Sequence, residues 1–402
     1  GLIAMVAGCA TWRKPDDLGV DPLRSRAVSE TNRGVELSAA VLGSEDSLRL
    51  FGVDVNASGV QPVWVEVRNG TTHTLWLLRA GTDPDYFSPL EVAWSAHVTM
   101  GGKTNDEIDE HFEQLAFPNP IRPGETRSGI LFTNPQVLVK VLNVDLLGNQ
   151  MMVPFTLFLS VPGADDETYR DRLRALRGVE RTEYEDTDSL RAALEQMPCC
   201  TTDPDKEALA HPLNVVIVGK LDDISAALVR RGFRPVRQQF KTRQTVFGQP
   251  PGLAMRKRAQ AGAITTILRF WRAPIDYRGE AVFLVQAGRP VGGRFYEIDL
   301  QNLGDLRLHP DVDEVRNHLL QDMAYSGGLE QIAFVKGVGQ APPEQPTALP
   351  EGGSYFTDGY RIAMFFATRP LTFDDINVLD WEPALQQREA QRVRELEGDG
   401  EQ

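Results

Sequence analysis

The chain is poor in cysteine, in long apolar runs and in cationic charge, and each shortage excludes something. Among 402 residues there are three cysteines, Cys9, Cys199 and Cys200, too few for a disulfide scaffold. No run approaches the roughly 20 apolar residues of a spanning helix. The longest apolar stretch, Met151 to Pro162, is short and contains Pro154. Lysine and arginine number 42 against 56 aspartates and glutamates, a formal net charge of −14. That balance opposes non-specific attachment to phosphate backbones or anionic lipid surfaces, which need cationic patches, so no nucleic-acid partner is expected. Catalytic signatures are also missing. No G-x-S-x-G nucleophile elbow occurs, and Ser326-Gly327-Gly328 lacks the preceding Gly-x. The glycine-rich Gly288–Arg294 has neither a Walker ending nor a dinucleotide fingerprint and reads as a hairpin loop. No cofactor is implied. What is there is 42% hydrophobic and 24% charged residues, a globular composition in a chain long enough for two or three domains.

An odd cysteine count is awkward in an exported protein unless one thiol has another use. Leu2-Ile3-Ala4-Met5-Val6-Ala7-Gly8 is an apolar run ending in small residues directly before Cys9. It resembles the second half of a bacterial lipoprotein signal, with Val6-Ala7-Gly8-Cys9 as the lipobox. The resemblance implies cleavage before Cys9 and lipid attachment at Cys9, so residues 1–8 are a partial signal and 9–34 a lipidated tether. Each buried methylene of such chains contributes about 0.8 kcal/mol, and two or more chains anchor stably. The bland alternative is a short buried N-terminal strand or helix with a core cysteine. Ala10, not Asp, follows Cys9, which in the family pattern favours the outer membrane facing the periplasm, with the inner membrane as the alternative. The remaining pair, Cys199-Cys200, leaves three options: a vicinal disulfide, two buried reduced thiols, or a soft metal site. The last is short of ligands, because Asp203 and Asp205 are poor soft-metal partners.

From Val35 to Pro162 short apolar runs alternate with turn signals. They include Val63–Val67, then Asn69-Gly70, then Thr74–Leu78, and later Ile130–Phe132, Val139–Val144 and Phe155–Leu159. Asn-Gly between such runs predicts a hairpin, and Arg122–Thr126 predicts a turn before a strand. The spacing, without long helical patterns, predicts an all-β sandwich over 35–162, immunoglobulin-like in type. Residues 163–205 read as a helical linker. One helix runs from Asp165 through Leu173, Leu176 and Val179, and another through Leu190, Ala193, Leu194 and Met197, halted by Pro198. Over 206–382 the pattern is mixed: a buried strand Asn214–Gly219, a helix opened by Asp222 and Asp223 and closed by Gly232, and strands near Val246-Phe247, Ile264–Trp271, Ala281–Val285 and Phe295–Leu300. A helix Asp311–Tyr325 and strands Ile332–Val335 and Arg361–Phe366 follow. This predicts an α+β domain with a mixed or largely antiparallel sheet. Residues 383–402 read as a charged, solvated tail.

Pro198-Cys199-Cys200-Thr201-Thr202, Pro212–Gly219, Ala226–Phe233, Leu268–Pro274, His309-Pro310-Asp311-Val312-Asp313 and Tyr355–Gly359 together resemble the LssY C-terminal domain family over residues 198 to about 382. The resemblance implies an envelope setting. The family offers no established activity, so it lends no catalytic residues.

Two constellations remain as candidates. His309, Asp311, Asp313, Glu314 and His318 stand at a helix start, where Asp311/Glu314 and Glu314/His318 can share a face. They can bind a divalent cation or supply an acid/base pair; equally, acids in a first turn beside Pro310 are ordinary helix-start residues. Arg269, Trp271 and Arg272 lie on a strand, Arg269 and Trp271 on one face, Phe270 and Arg272 on the other. They can hold a phosphate or an aromatic ligand, or simply pair with neighbours. Arg256-Lys257-Arg258 reads as a solvated turn. The expected function is a membrane-anchored envelope lipoprotein acting as a binding module for an envelope protein or small ligand. The alternative is a hydrolase acting on phosphate-containing envelope lipids or glycans.

Overall fold

The computed structural model describes residues 12–15, 19–82, 86–99, 101–136, 139–163, 181–203, 208–236, 244–258, 264–291, 308–350 and 352–382. Cys9 with the expected lipobox, the helix expected from Asp165, the strand expected near Phe295–Leu300 and the expected 383–402 tail lie outside these residues. The chain divides into two compact units, Gly1–Tyr169 and Arg170–Gln402.

The first unit contains strands Val28–Asn32 (β1), Val35–Val41 (β2), Gln61–Asn69 (β3), Trp76–Leu77 (β4), Thr126–Thr133 (β5), Val139–Gly148 (β6) and Met151–Ser160 (β7). They form one sheet in the order β1-β2-β3-β5 and another in the order β4-β6-β7. Two-residue periodicity turns Val35, Leu37, Ala39, Val63, Val65 and Val67 to one face. There they share a core with Leu142, Val144, Leu146, Phe155 and Leu157 of the other sheet. The sandwich is therefore as expected, but the strand order is not the immunoglobulin one, in which the second strand pairs with the fifth; here β2 pairs with β3.

Helices Asp21–Arg24 (α1), Ser44–Phe51 (α2), Arg79–Thr82 (α3), Pro89–Trp94 (α4) and Gly102–Leu115 (α5) also belong to this unit, so it is not all-β. Leu50, Phe51, Val92, Ile108 and Phe112 bury the outer face of the first sheet with Ala40, Trp64, Ile130 and Phe132. The apolar stripe of α5 is thin because one of its buried positions is His111. Two further expectations are corrected. Asn69-Gly70 does not close a hairpin, since β3 and β4 lie in different sheets; the Asn69 amide instead donates to the carbonyls of His73 and Ile121 and turns the chain between sheets. Much of the stretch expected as a tether is instead structured: Leu23 is fully buried, β1 pairs with β2, and Trp12 Nε1 donates to the Phe51 carbonyl at 2.8 Å.

The second unit contains, in order, Thr182–Tyr184 (β8), Thr187–Glu195 (α6), Cys200–Asp203 (β9), Ala208–Pro212 (β10), Val215–Gly219 (β11), Leu221–Arg230 (α7), Phe233–Pro235 (β12), Leu253–Arg258 (β13), Ile264–Tyr277 (β14) and Glu280–Gly288 (β15). Val312–Ala324 (α8), Leu329–Lys336 (β16), Thr347–Ala348 (β17), Ser354–Tyr355 (β18), Tyr360–Phe366 (β19) and Asn377–Val378 (β20) follow. Its main sheet runs β12-β13-β14-β15-β11-β19-β16-β20, with β8 beside β14. Pairs β11–β19, β16–β20 and β8–β14 are parallel; the remaining neighbours are antiparallel.

Strand β11 is buried at all five positions, as its unbroken Val/Ile run requires. Leu190 and Leu194 of α6 pack with Val216, Val218, Trp271, Leu284 and Phe365 on one face, while α7 and α8 lie on the other. Three expectations change here. β8 and α6 are part of this unit, not a linker. Val246-Phe247 is a tight turn in which Phe247 has positive φ. Arg256-Lys257-Arg258 sits in strand β13, not in a turn.

Candidate functional site

The acidic constellation is drawn into the α8 N-terminus. Asp311 is the N-cap and accepts from the Asp313 and Glu314 backbone N–H groups at 3.1 and 2.9 Å. Such a cap contributes about 1 kcal/mol. Asp313 turns inward, accepting from Thr357 Oγ1 at 2.7 Å and from the Asp358 backbone N–H at 2.6 Å. Burial holds its carboxyl pKa above the ordinary range, against the pull of Arg316 and these donors. One turn on, Arg316 is 2% exposed and grips Asp358 bidentately at 2.9 and 3.0 Å while donating to the Tyr360 carbonyl. Its guanidinium also lies 5.2 Å from the Phe334 ring centroid.

Glu314 points outward, 3.6 Å from both Arg289 and His309, and His318 is exposed. The five residues therefore do not meet at one point. Among the described residues no group of three or more His, Cys, Asp or Glu is disposed to hold a metal ion.

The arginine–tryptophan constellation is interior. Trp271 is 2% exposed and joins the core, its Nε1 donating to the Gln249 carbonyl. Arg269 stands in register with Gln286 and donates to its side-chain oxygen at 3.0 Å. On the opposite face Arg272 holds the β14–β15 irregularity together: Nη1 donates to the carbonyls of Ala273, Ile275 and Val282 at 2.8, 2.7 and 2.8 Å. Its Nη2 pairs with Asp276, and its guanidinium lies over Phe283. Burial lowers its pKa. Neither arginine faces solvent as a ligand platform.

A third polar region was not anticipated. The ribbon β9–β10 places Thr201, Asp203 and His211 in buried positions. Thr201 Oγ1 donates to Gln244, and the His211 backbone N–H donates to Thr201 Oγ1. At the start of this ribbon the Cys199 and Cys200 sulfurs are bonded to each other as a vicinal disulfide, with Cys200 Sγ 3.8 Å from the Tyr355 hydroxyl. His211, Gln286, His309, Ser354 and Tyr355 are among the residues around a cavity of about 10 Å³, which is room for one water molecule. His309 is the one member of either predicted constellation that borders it.

Beside the disulfide lies Arg361, fully buried. It donates to the carbonyls of Leu194, Met197, Pro198 and Gly337, closing the C-terminal end of α6. Burial pushes its pKa down to about 10. The signal for it is a single charge inside the apolar run Tyr360–Phe366. Asn214, likewise missed, joins β15 to α8 through Ala287 and the Val312 carbonyl.

These features define an α+β unit built on a mixed sheet with helices on both faces. Residues 241–360 match the family model described as the LssY C-terminus. That span takes in Leu268–Pro274, His309–Asp313 and Tyr355–Gly359, whereas Pro198–Thr202, Pro212–Gly219 and Ala226–Phe233 precede it. No curated protein matches the chain.

Proposed function

We propose that the chain is a lipid-anchored cell-envelope protein whose second unit is a binding module for an envelope protein or small ligand. The observation that supports binding over hydrolysis is the closed arrangement of Asp313, Arg316, Thr357 and Asp358. The groups a phosphate hydrolase would turn towards a metal or an anion instead fasten α8 to the entry of β19.

Two measurements test the reading. Fractionation of cells should find the wild-type protein with membranes and Cys9→Ser released; membrane partition unchanged by the substitution would reject the anchor. In a phosphatase screen with divalent cations, Asp311→Ala should alter no turnover and lower unfolding stability by about 1 kcal/mol, the value of a lost cap. Turnover that depends on Asp311 would instead establish the hydrolase.

A further inference from the structure

Whole-chain charge conceals a segregation. From Ile224 to Ile275 the sequence has eleven Lys and Arg and no Asp or Glu, inside a chain of net charge −14. The fold gathers part of this run at one end of the main sheet, where β12 is the edge strand and β13 its neighbour. Arg234 stands directly across from Arg256, and Phe233 across from Lys257. Like charges in such register repel. Because successive residues alternate faces, Lys257 lies on the side of α8, with Arg234 and Arg256 on the other.

On the α8 side a single carboxylate serves two cations: Lys257 Nζ lies 2.6 and 2.7 Å from the Asp322 oxygens, and Arg231 donates to the same group at 3.1 Å. Arg256 Nη1 is enclosed with no hydrogen-bond partner among the described residues. Burial, and then the neighbouring Arg258, lower the Arg256 pKa. Aromatic side chains extend this rim. The Arg231 guanidinium lies 5.6 Å from the Tyr325 ring centroid, and Tyr325 meets Phe373 edge-on at 4.9 Å. Both rings are largely open to solvent, 65% and 56% exposed.

We propose that Arg231, Lys257 and Arg258, with Tyr325 and Phe373, form a docking surface for an anionic lipid bilayer. Guanidinium and ammonium groups take headgroup phosphates, while amphipathic rings settle at headgroup depth. Charges on an edge strand also block unwanted strand pairing, but that role needs neither the aromatic rim nor a preference for phosphate. The surface rests on the envelope reading for its setting; its test does not use the anchor.

The full chain carrying Cys9→Ser, and so unacylated, is sedimented with phosphatidylcholine vesicles prepared with and without phosphatidylglycerol. Binding is expected with phosphatidylglycerol alone, weakening as salt rises. Arg231→Gln with Arg258→Gln should weaken it about tenfold or more, and Tyr325→Ser with Phe373→Ser should weaken it further, each with unchanged circular dichroism. Equal binding to phosphatidylcholine alone, or tighter binding to duplex DNA than to the anionic vesicles, overturns the proposal. No vesicle binding, while the wild type still partitions with cell membranes, overturns this proposal and leaves the anchor standing. Vesicle binding by a protein whose wild type fractionates as soluble does the reverse.

Discussion

Arg361 shows what one residue can decide. A guanidinium surrounded by four backbone carbonyls and, among the described residues, paired with no carboxylate joins the end of α6, the approach to Cys199 and the turn at Gly337. Arg361→Leu removes every donor at once and strands those acceptors, a loss of about 3 kcal/mol. Arg361→Lys should recover part of it, because one ammonium cannot span the fork. Urea unfolding of the second unit checks both. His111 carries the opposite kind of information. Its Nε2 meets the Leu50 carbonyl at 2.8 Å, its Nδ1 has no partner among the described residues, and burial lowers its pKa from the ordinary 6.5. The unfolded chain therefore takes up the proton first, so this contribution to stability is complete above about pH 6.5 and declines as pH falls below it. Thermal unfolding of His111→Gln should show a shallower acid slope than the wild type; parallel slopes would refute the assignment. Asp311 was legible as a cap because its sequence position at a helix start implies one. The engagement of Asp313 with Thr357 and Asp358 was not, because its partners lie more than forty residues away.

At the scale of elements, legibility followed burial pattern. β11, α7, α8 and β19 carry strong local periodicity, and their outlines emerge from sequence alone. Helix α5 does not: its stripe is Ile108, His111 and Phe112 between acids, and tertiary packing against Phe51 and Phe132 supplies what propensity lacks. Asn69-Gly70 failed as a hairpin signal for a related reason. A turn signal fixes where a chain bends but not which sheet receives the next strand. Gly129 gives this packing a sharp test. A Cβ there would stand 2.4 and 2.6 Å from the Phe117 backbone, where the chain leaving α5 bonds to Ile130. Gly129→Ala should cost about 2 kcal/mol or more through forced separation of β5 from this strap, read as a lowered unfolding midpoint of the first unit.

Across the whole molecule, a summed charge conceals how the charge is distributed. A net charge of −14 suggested a surface hostile to anions, yet an acid-free stretch of 52 residues lies within it. Charge position, not total, governs which surfaces attract a bilayer. The α+β character of the second unit was readable because each element bears its own pattern. The three-layer build of the first unit was not, because it depends on which strands share a sheet.

Trp12 adds a final consequence. It is docked on Phe51 and stands three positions after Cys9, a reach of about 10 Å when fully extended. If Cys9 is acylated as proposed, the short reach would keep the first unit pressed close to the headgroups, a moored body and not a baited line, and a partner would have to come to the membrane to meet it.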